Sequence, residues 1–135
     1  MINLFGFAND QPSKTVGEIG EDLATRFLKK KGLRIRHRNW YNPRGKRLGE
    51  IDIVAENGSG HIIFVEVKTR VTTGTAITMP EEQITPAKLF KMRRVAELYI
   101  THFDLWDRSW QCDAVAISLK NEVIQDIKHI ENIFI

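Results

Sequence analysis

The chain has little that would tie it to a membrane, to export or to a thiol-based centre. Its 135 residues contain one cysteine, Cys112. A single cysteine builds no internal disulfide framework and no multi-cysteine zinc site, and it fits a reducing cytoplasm. Cys112 reads as a small core residue of a strand. No apolar run approaches the roughly 20 residues of a transmembrane helix. The first ten residues lack the basic start and apolar stretch of a signal peptide. A soluble, cytoplasmic protein with no membrane partner is expected. Internal repeats, low-complexity segments, a P-loop and a Rossmann fingerprint are also missing. So is a strong charge of one sign. The net charge of +3 neither demands nor excludes a nucleic-acid partner.

What is there suits one globular domain. A hydrophobic fraction of 42% over this length supports a real core. Residues 1–12 read as a flexible lead-in and 13–135 as a single domain. The densest information lies in residues 48–70. Ile51-Asp52-Ile53-Val54-Ala55 and Ile62-Ile63-Phe64-Val65-Glu66-Val67-Lys68 flank a turn-forming segment, Glu56-Asn57-Gly58-Ser59-Gly60. That pattern predicts two strands of a hairpin. Residues two apart share a strand face, so Glu66 and Lys68 point the same way. An antiparallel partner brings Asp52 beside Glu66.

Two carboxylates and a lysine in apolar strands need a reason, because cores rarely accept unpaired charge. One reading is a Glu66–Lys68 ion pair at a solvated strand end. The other is a site for a hard cation such as Mg²⁺, which takes few protein oxygens and keeps several waters.

Around this hairpin, residues 16–28 carry Val16, Ile19, Gly20, Leu23, Ala24, Phe27 and Leu28 at helical spacing. Ser13 or Thr15 caps the helix, with Glu18 as the capping-box acid, and Gly32 stops it. Helical phase places Glu21 at the border of the apolar stripe, with Glu18 and Asp22 farther toward solvent. By pattern alone Glu21 is an exposed helix carboxylate. Residues 33–40 alternate as an edge strand. Trp40 reads as a core residue, with stacking on an unpaired base as its other use. His37 reads as a strand-surface residue. Thr85 and Pro86 start a second helix whose core face is Leu89, Met92, Ala96, Tyr99 and Phe103. Residues 112–118 and 123–130 read as two more strands, with Asp113 a carboxylate at the start of the first. Helix, three strands, helix, two strands implies a mixed sheet with helices on its faces.

Basic residues cluster between Lys29 and Arg47 without an intervening acid, and again over Lys88, Lys91, Arg93 and Arg94. Such clusters are often solvated faces, but they also attract phosphate backbones. Arg38, Arg44, Lys46, Arg47 and Arg70 are the candidates for a nucleic-acid surface.

As a set, these motifs resemble the PD-(D/E)xK nuclease superfamily. Asp52 followed by Glu66-Val67-Lys68 matches its D…ExK core. With Gly49-Glu50-Ile51-Asp52-Ile53-Val54-Ala55, Phe64 to Arg70, Gly20-Glu21-Asp22-Leu23-Ala24 and Arg38-Asn39-Trp40, the chain resembles the YraN family of bacterial proteins. The resemblance implies a restriction-endonuclease-like α/β fold and Mg²⁺- or Mn²⁺-dependent hydrolysis of DNA, with RNA not excluded. It implies that Asp52, Glu66 and the Val67 carbonyl hold the ion, that Lys68 acts on water or transition-state charge, and that Glu21 joins the site. It adds Gln83 and Lys88 as phosphate-binding candidates. Archaeal Holliday-junction resolvases share the helix glutamate with D…ExK, which suggests branched DNA and would suit a homodimer. Family members carry an arginine where this chain has Gln111, so a local Arg–Asp113 pair is not carried over. The alternative is a nucleic-acid-binding or assembly module with this fold and no turnover.

Overall fold

The computed structural model describes residues 14–72, 84–121 and 123–133. The expected lead-in at 1–12 and the candidate Gln83 lie outside them. The described chain runs α1 (Val16–Lys30), β1 (Arg34–Tyr41), a 3₁₀ turn at Lys46–Leu48, β2 (Glu50–Glu56), β3 (Ile62–Val71), α2 (Pro86–His102), β4 (Trp110–Lys120) and β5 (Val123–Ile130). This is the α/β order expected from the sequence, and the sheet is mixed with helices on both faces.

Local chemistry explains the boundaries. Thr15 caps α1: its Oγ1 accepts the Glu18 N–H at 3.2 Å, and its hydroxyl, rather than the backbone N–H of a full capping box, donates to Glu18 Oε1 at 3.1 Å. Gly32, at φ 92°, ends α1 in the left-handed region that glycine favours. Asn57 builds the β2–β3 turn, its Oδ1 accepting from Ser59 N and His61 N, both at 3.0 Å. Thr85 caps α2 through Lys88 N, with Pro86 in the first turn.

The strands lie in chain order, β1 to β5, and only the β3–β4 pair is parallel. Parallel neighbours need a crossover, and α2 supplies it. One core, beneath α2, gathers Ile51, Val54, Phe64, Met92, Val95 and Tyr99. The other, beneath α1, gathers Leu28, Ile53, Ala55, Val65, Val115 and Ile117. Phe64 is fully buried, and truncating such a side chain to alanine costs about 3–5 kcal/mol.

Three details depart from the sequence reading. The α2 face turned inward includes Val95 and Ile100, while Leu89 is only half-buried. The β1 register slips between Ile35 and His37, so simple alternation fails there. His37 is a packed residue rather than a surface one: its Nδ1 meets Tyr99 Oη at 2.7 Å and its ring lies against Phe103. Trp40 packs against Tyr99, and Cys112 is fully buried.

Candidate active site

Asp52 sits where the β2–β3 ladder ends. The last paired residues are Ile53 and Val65. One step further, the Asp52 carboxylate accepts the Val67 N–H at 2.8 Å through Oδ2. The side chain thus takes a backbone donor that a continuing ladder would have used. Alternation breaks at the same point, since Ile51 packs under α2 and Ile53 under α1. Among the described residues, Oδ1 of Asp52 has no hydrogen-bond partner.

Glu66 and Lys68 follow on β3 and form an ion pair at 3.2 Å, both side chains largely covered. Burial pushes the Asp52 carboxyl up to about 8, the Glu66 charge adds to this, and Glu21 adds a smaller push. The Val67 N–H and Lys68 act in the opposite direction but do not win. Glu21, Asp52, Glu66 and Lys68 are therefore near enough to sense one another, although they come from α1, β2 and β3.

Gly20 sets how closely α1 approaches. A Cβ there would lie 1.7 Å from Thr69 Oγ1 and 2.9 Å from Thr69 Cβ. Only a glycine lets the helix lie against β3 at this level, and Glu21 is the next residue. The Glu21 side chain is 17% exposed, with Arg38 at 4.0 Å. Asp22 departs from expectation. It does not face solvent freely but pairs with Lys14 and with Arg38, the latter at 2.9 Å. Arg38 is thus engaged by helix acids.

The other cations divide into two groups. Arg34, Arg36 and Arg108 all donate to the buried Glu56 carboxylate, which they hold below the usual carboxylate range. This corrects the view of 29–47 as one continuous phosphate-facing cluster. Arg44, Lys46 and Arg47 are exposed around the 3₁₀ turn just before β2. Lys88, on the first turn of α2, comes against Lys68. That ammonium holds Lys88 below the ordinary lysine range, and Glu66 partly offsets the effect. Arg70 follows Lys68 on the same side of β3, and its buried Nη2 has no hydrogen-bond partner among the described residues.

The donor set fits a hard cation. Asp52 accepts the Val67 N–H beside the Glu66–Lys68 pair, and burial, with Glu66 and Glu21 adding to it, raises its carboxyl toward neutral pH. Carboxylate oxygens are the ligands Mg²⁺ and Mn²⁺ prefer.

A second group that could hold a metal was not anticipated. Asp113, His129 and Glu131 bring ligand atoms within 4.8 Å of one another. Asp113 is fully buried. It accepts from Gln111 Nε2 and Asn132 N at 2.8 Å each, and from His129 Nε2 at 2.7 Å. Burial alone would raise its carboxyl, but these donors hold it below the usual range. Lys31 reaches His129 Nδ1 at 2.8 Å, and His61 joins through Gln111 Oε1 at 2.7 Å. A carboxylate and an amide oxygen only accept, so both histidines carry their proton on Nε2. The network is satisfied by its own hydrogen bonds and reads as structural. Gln111 supplies the local partner for Asp113 that an arginine would otherwise provide. Lys31 is ten residues beyond Glu21, so this network lies roughly 15 Å along α1 from the first group.

The fold is an α/β mixed sheet that sets Asp52, Glu66 and Lys68 at a split between two strands, with Glu21 near enough to raise the Asp52 carboxyl. Comparison with known families names it more closely. The profile of the uncharacterised protein family UPF0102 matches residues 20–117, and the chain belongs to that family. A UPF0102 protein of Caldicellulosiruptor saccharolyticus is 39% identical over 90% of this chain and 98% of its own length. One from Syntrophomonas wolfei is 37% identical over 90% of this chain and 99% of its own length. One from Oleidesulfovibrio alaskensis is 39% identical over 76% of this chain, which spans only 47% of that relative. Among solved structures, the Ca²⁺ complex of Pyrococcus furiosus SfsA aligns with 85% of this chain and 61% of its own, at 14% identity and a TM-score of 0.31. That likeness is too slight to carry an inference. No helix among the described residues is long and apolar enough to cross a membrane.

Proposed function

We propose that the chain is a metal-dependent nuclease acting on DNA. The observation that carries this reading is the largely buried Asp52 carboxylate held on the Val67 N–H beside the Glu66–Lys68 pair, an acid raised by burial and by Glu66 whose charge a cation would favour. Asp52 and Glu66 would hold Mg²⁺ or Mn²⁺, with the Val67 carbonyl and Glu21 completing the set. When bound, the ion supplies charge neutralisation at the phosphate and a lowered pKa for water.

The remaining work falls to the chain itself. The Val67 N–H fixes the Asp52 carboxylate, leaving Oδ1 free to bind. Glu66 holds the Lys68 ammonium beside the reaction site at 3.2 Å. From there Lys68 orients the attacking water or meets the charge that grows on the phosphate. Arg70 and Lys88 stand next to it and supply donors for phosphate oxygens. Arg44, Lys46 and Arg47 carry the approaching backbone. Branched or otherwise structured DNA is the substrate class the resemblance suggests.

The test is incubation of the purified protein with linear, single-stranded, flapped and four-way DNA in Mg²⁺, Mn²⁺ or EDTA. Cleavage with either ion and none with EDTA supports the reading. Tight binding with no cleavage in any condition replaces it with a binding or assembly module.

A further inference from the structure

A cleft of about 180 Å³ opens beside Glu66 and Lys68, between the start of β2 and α2. Its lining is apolar at Leu89, Met92 and Val95 and charged at Lys68, Lys88 and Lys91, with Glu50 and Glu66 also present. Gly49 closes the wall against α2. A Cβ there would fall 2.7 Å from Val95 Cγ2, and the backbone at φ 113° already favours glycine. Neither feature belongs to the metal chemistry. A metal-dependent phosphodiesterase needs carboxylates and cations, not an apolar recess one residue from them.

We propose that this cleft receives a single unpaired nucleobase next to the scissile phosphate, so that the enzyme acts where a nucleotide is unstacked. The proposal rests on the nuclease reading of the adjoining carboxylates. Size and charge select the occupant. A cavity of about 150 Å³ takes one benzene ring, so this cleft takes one base and not a base pair. Its three lysines match the phosphates on either side of such a base. The flat apolar faces of a base suit the Leu89, Met92 and Val95 lining, and Glu50 in the same lining can accept from its polar edge. Paired bases are turned into the duplex and cannot enter. Unpaired or mismatched positions have the smallest unstacking cost, which makes the recess a source of selectivity.

The experiment reads the cleft directly and does not depend on turnover. The full chain, labelled with ¹³C at methionine methyl groups, is titrated with DNA, with Ca²⁺ in place of Mg²⁺. Met92 is assigned by comparison with Met92→Leu. Three ligands are used: a fully paired blunt duplex, the same duplex with one unpaired thymine, and the same duplex with an abasic site at that position. The Met92 methyl should shift with the unpaired thymine and stay in place with the other two. Leu89→Trp, at a half-buried position that tolerates a larger ring, fills the cleft. It should weaken binding of the unpaired ligand at least tenfold and leave that of the paired duplex within twofold. Equal shifts with thymine and abasic ligands, or no Met92 shift with any, would overturn the proposal. Absence of cleavage together with a thymine-dependent shift would sink the nuclease reading and leave the base site standing.

Discussion

The Asp52 carboxylate accepts the Val67 N–H at 2.8 Å, across the point where two antiparallel strands cease to pair. That one bond anchors an acid that is surrounded by other acids. Its consequences can be measured in the metal-free protein.

The first concerns pH. Asp52 titrates at about 8 in the folded chain and near 4 when unfolded. Between those values the folded state holds a proton that the unfolded state has lost. Stability from this group is therefore full below about pH 4, falls as pH rises toward 8, and is level above that. Chemical denaturation in EDTA at pH 5, 6, 7 and 8 should show this decline, and Asp52→Asn should remove it. Mn²⁺ binding should tighten with pH over the same interval, because the ion displaces the proton. A parent and a variant with the same pH dependence would count against the burial of this carboxyl.

A second consequence separates the two acidic groups. Asp113→Ala leaves three donors, Gln111 Nε2, His129 Nε2 and Asn132 N, without their acceptor. The expected loss of stability is about 3–5 kcal/mol. At equal folded fraction, its Mn²⁺-induced rise in melting temperature and its cleavage rate should match the parent. Loss of the Mn²⁺ effect in Asp113→Ala, with the effect kept in Asp52→Asn, would move the metal to the Asp113 network.

The third expectation tests the helix packing. Gly20→Ala forces a methyl group into Thr69. The helix must shift, at a cost of about 1–3 kcal/mol. Thr69→Ala should restore part of that loss in the double variant, since the hydroxyl is the nearest obstacle. Because Glu21 travels with the helix, Gly20→Ala should also blunt Mn²⁺ stabilisation. Gly20→Ala with parent stability would mean that α1 does not pack at this distance.

Much of this is legible in the sequence. The element order follows from hydrophobic period and from the caps at Thr15 and Thr85. Asp52, Glu66 and Lys68 stand out because charge in an apolar strand is rare. What is not legible depends on partners distant in the chain. Asp113 reads as a strand-entry carboxylate until β5 and the residues after it bring His129 and Asn132 against it. Arg34 and Arg36 read as part of a basic run until the β1–β2 pairing sets Arg34 opposite Glu56 and both guanidiniums reach its carboxylate. The demand for glycine at residue 20 comes from Thr69, forty-nine positions away, and no helical periodicity reports it.

Those two arginines provide the fourth expectation. Substituting Arg44, Lys46 and Arg47 together by alanine should lower the dependence of log DNA affinity on log salt by about 0.9 for each phosphate left without its cation. Substituting Arg34 alone should leave that slope unchanged, because its guanidinium serves Glu56. Filter-binding titrations between low and moderate salt distinguish the two. Equal slopes for the parent and the triple variant would mean that the loop cations do not touch DNA.

The central claim is that Asp52, Glu66, Glu21 and Lys68 form one metal-dependent hydrolytic site. It is tested most directly by the single-turnover cleavage rate of one DNA substrate in Mn²⁺, for the parent, Asp52→Asn and Lys68→Ala at equal folded fraction. Asparagine still accepts the Val67 N–H, so the fold persists while the ion loses its anchor. The predicted result is no measurable cleavage by Asp52→Asn and a rate roughly 10²–10³-fold lower for Lys68→Ala, with Mn²⁺ affinity of the lysine variant unchanged or raised. Cleavage by Asp52→Asn at the parent rate would contradict the account.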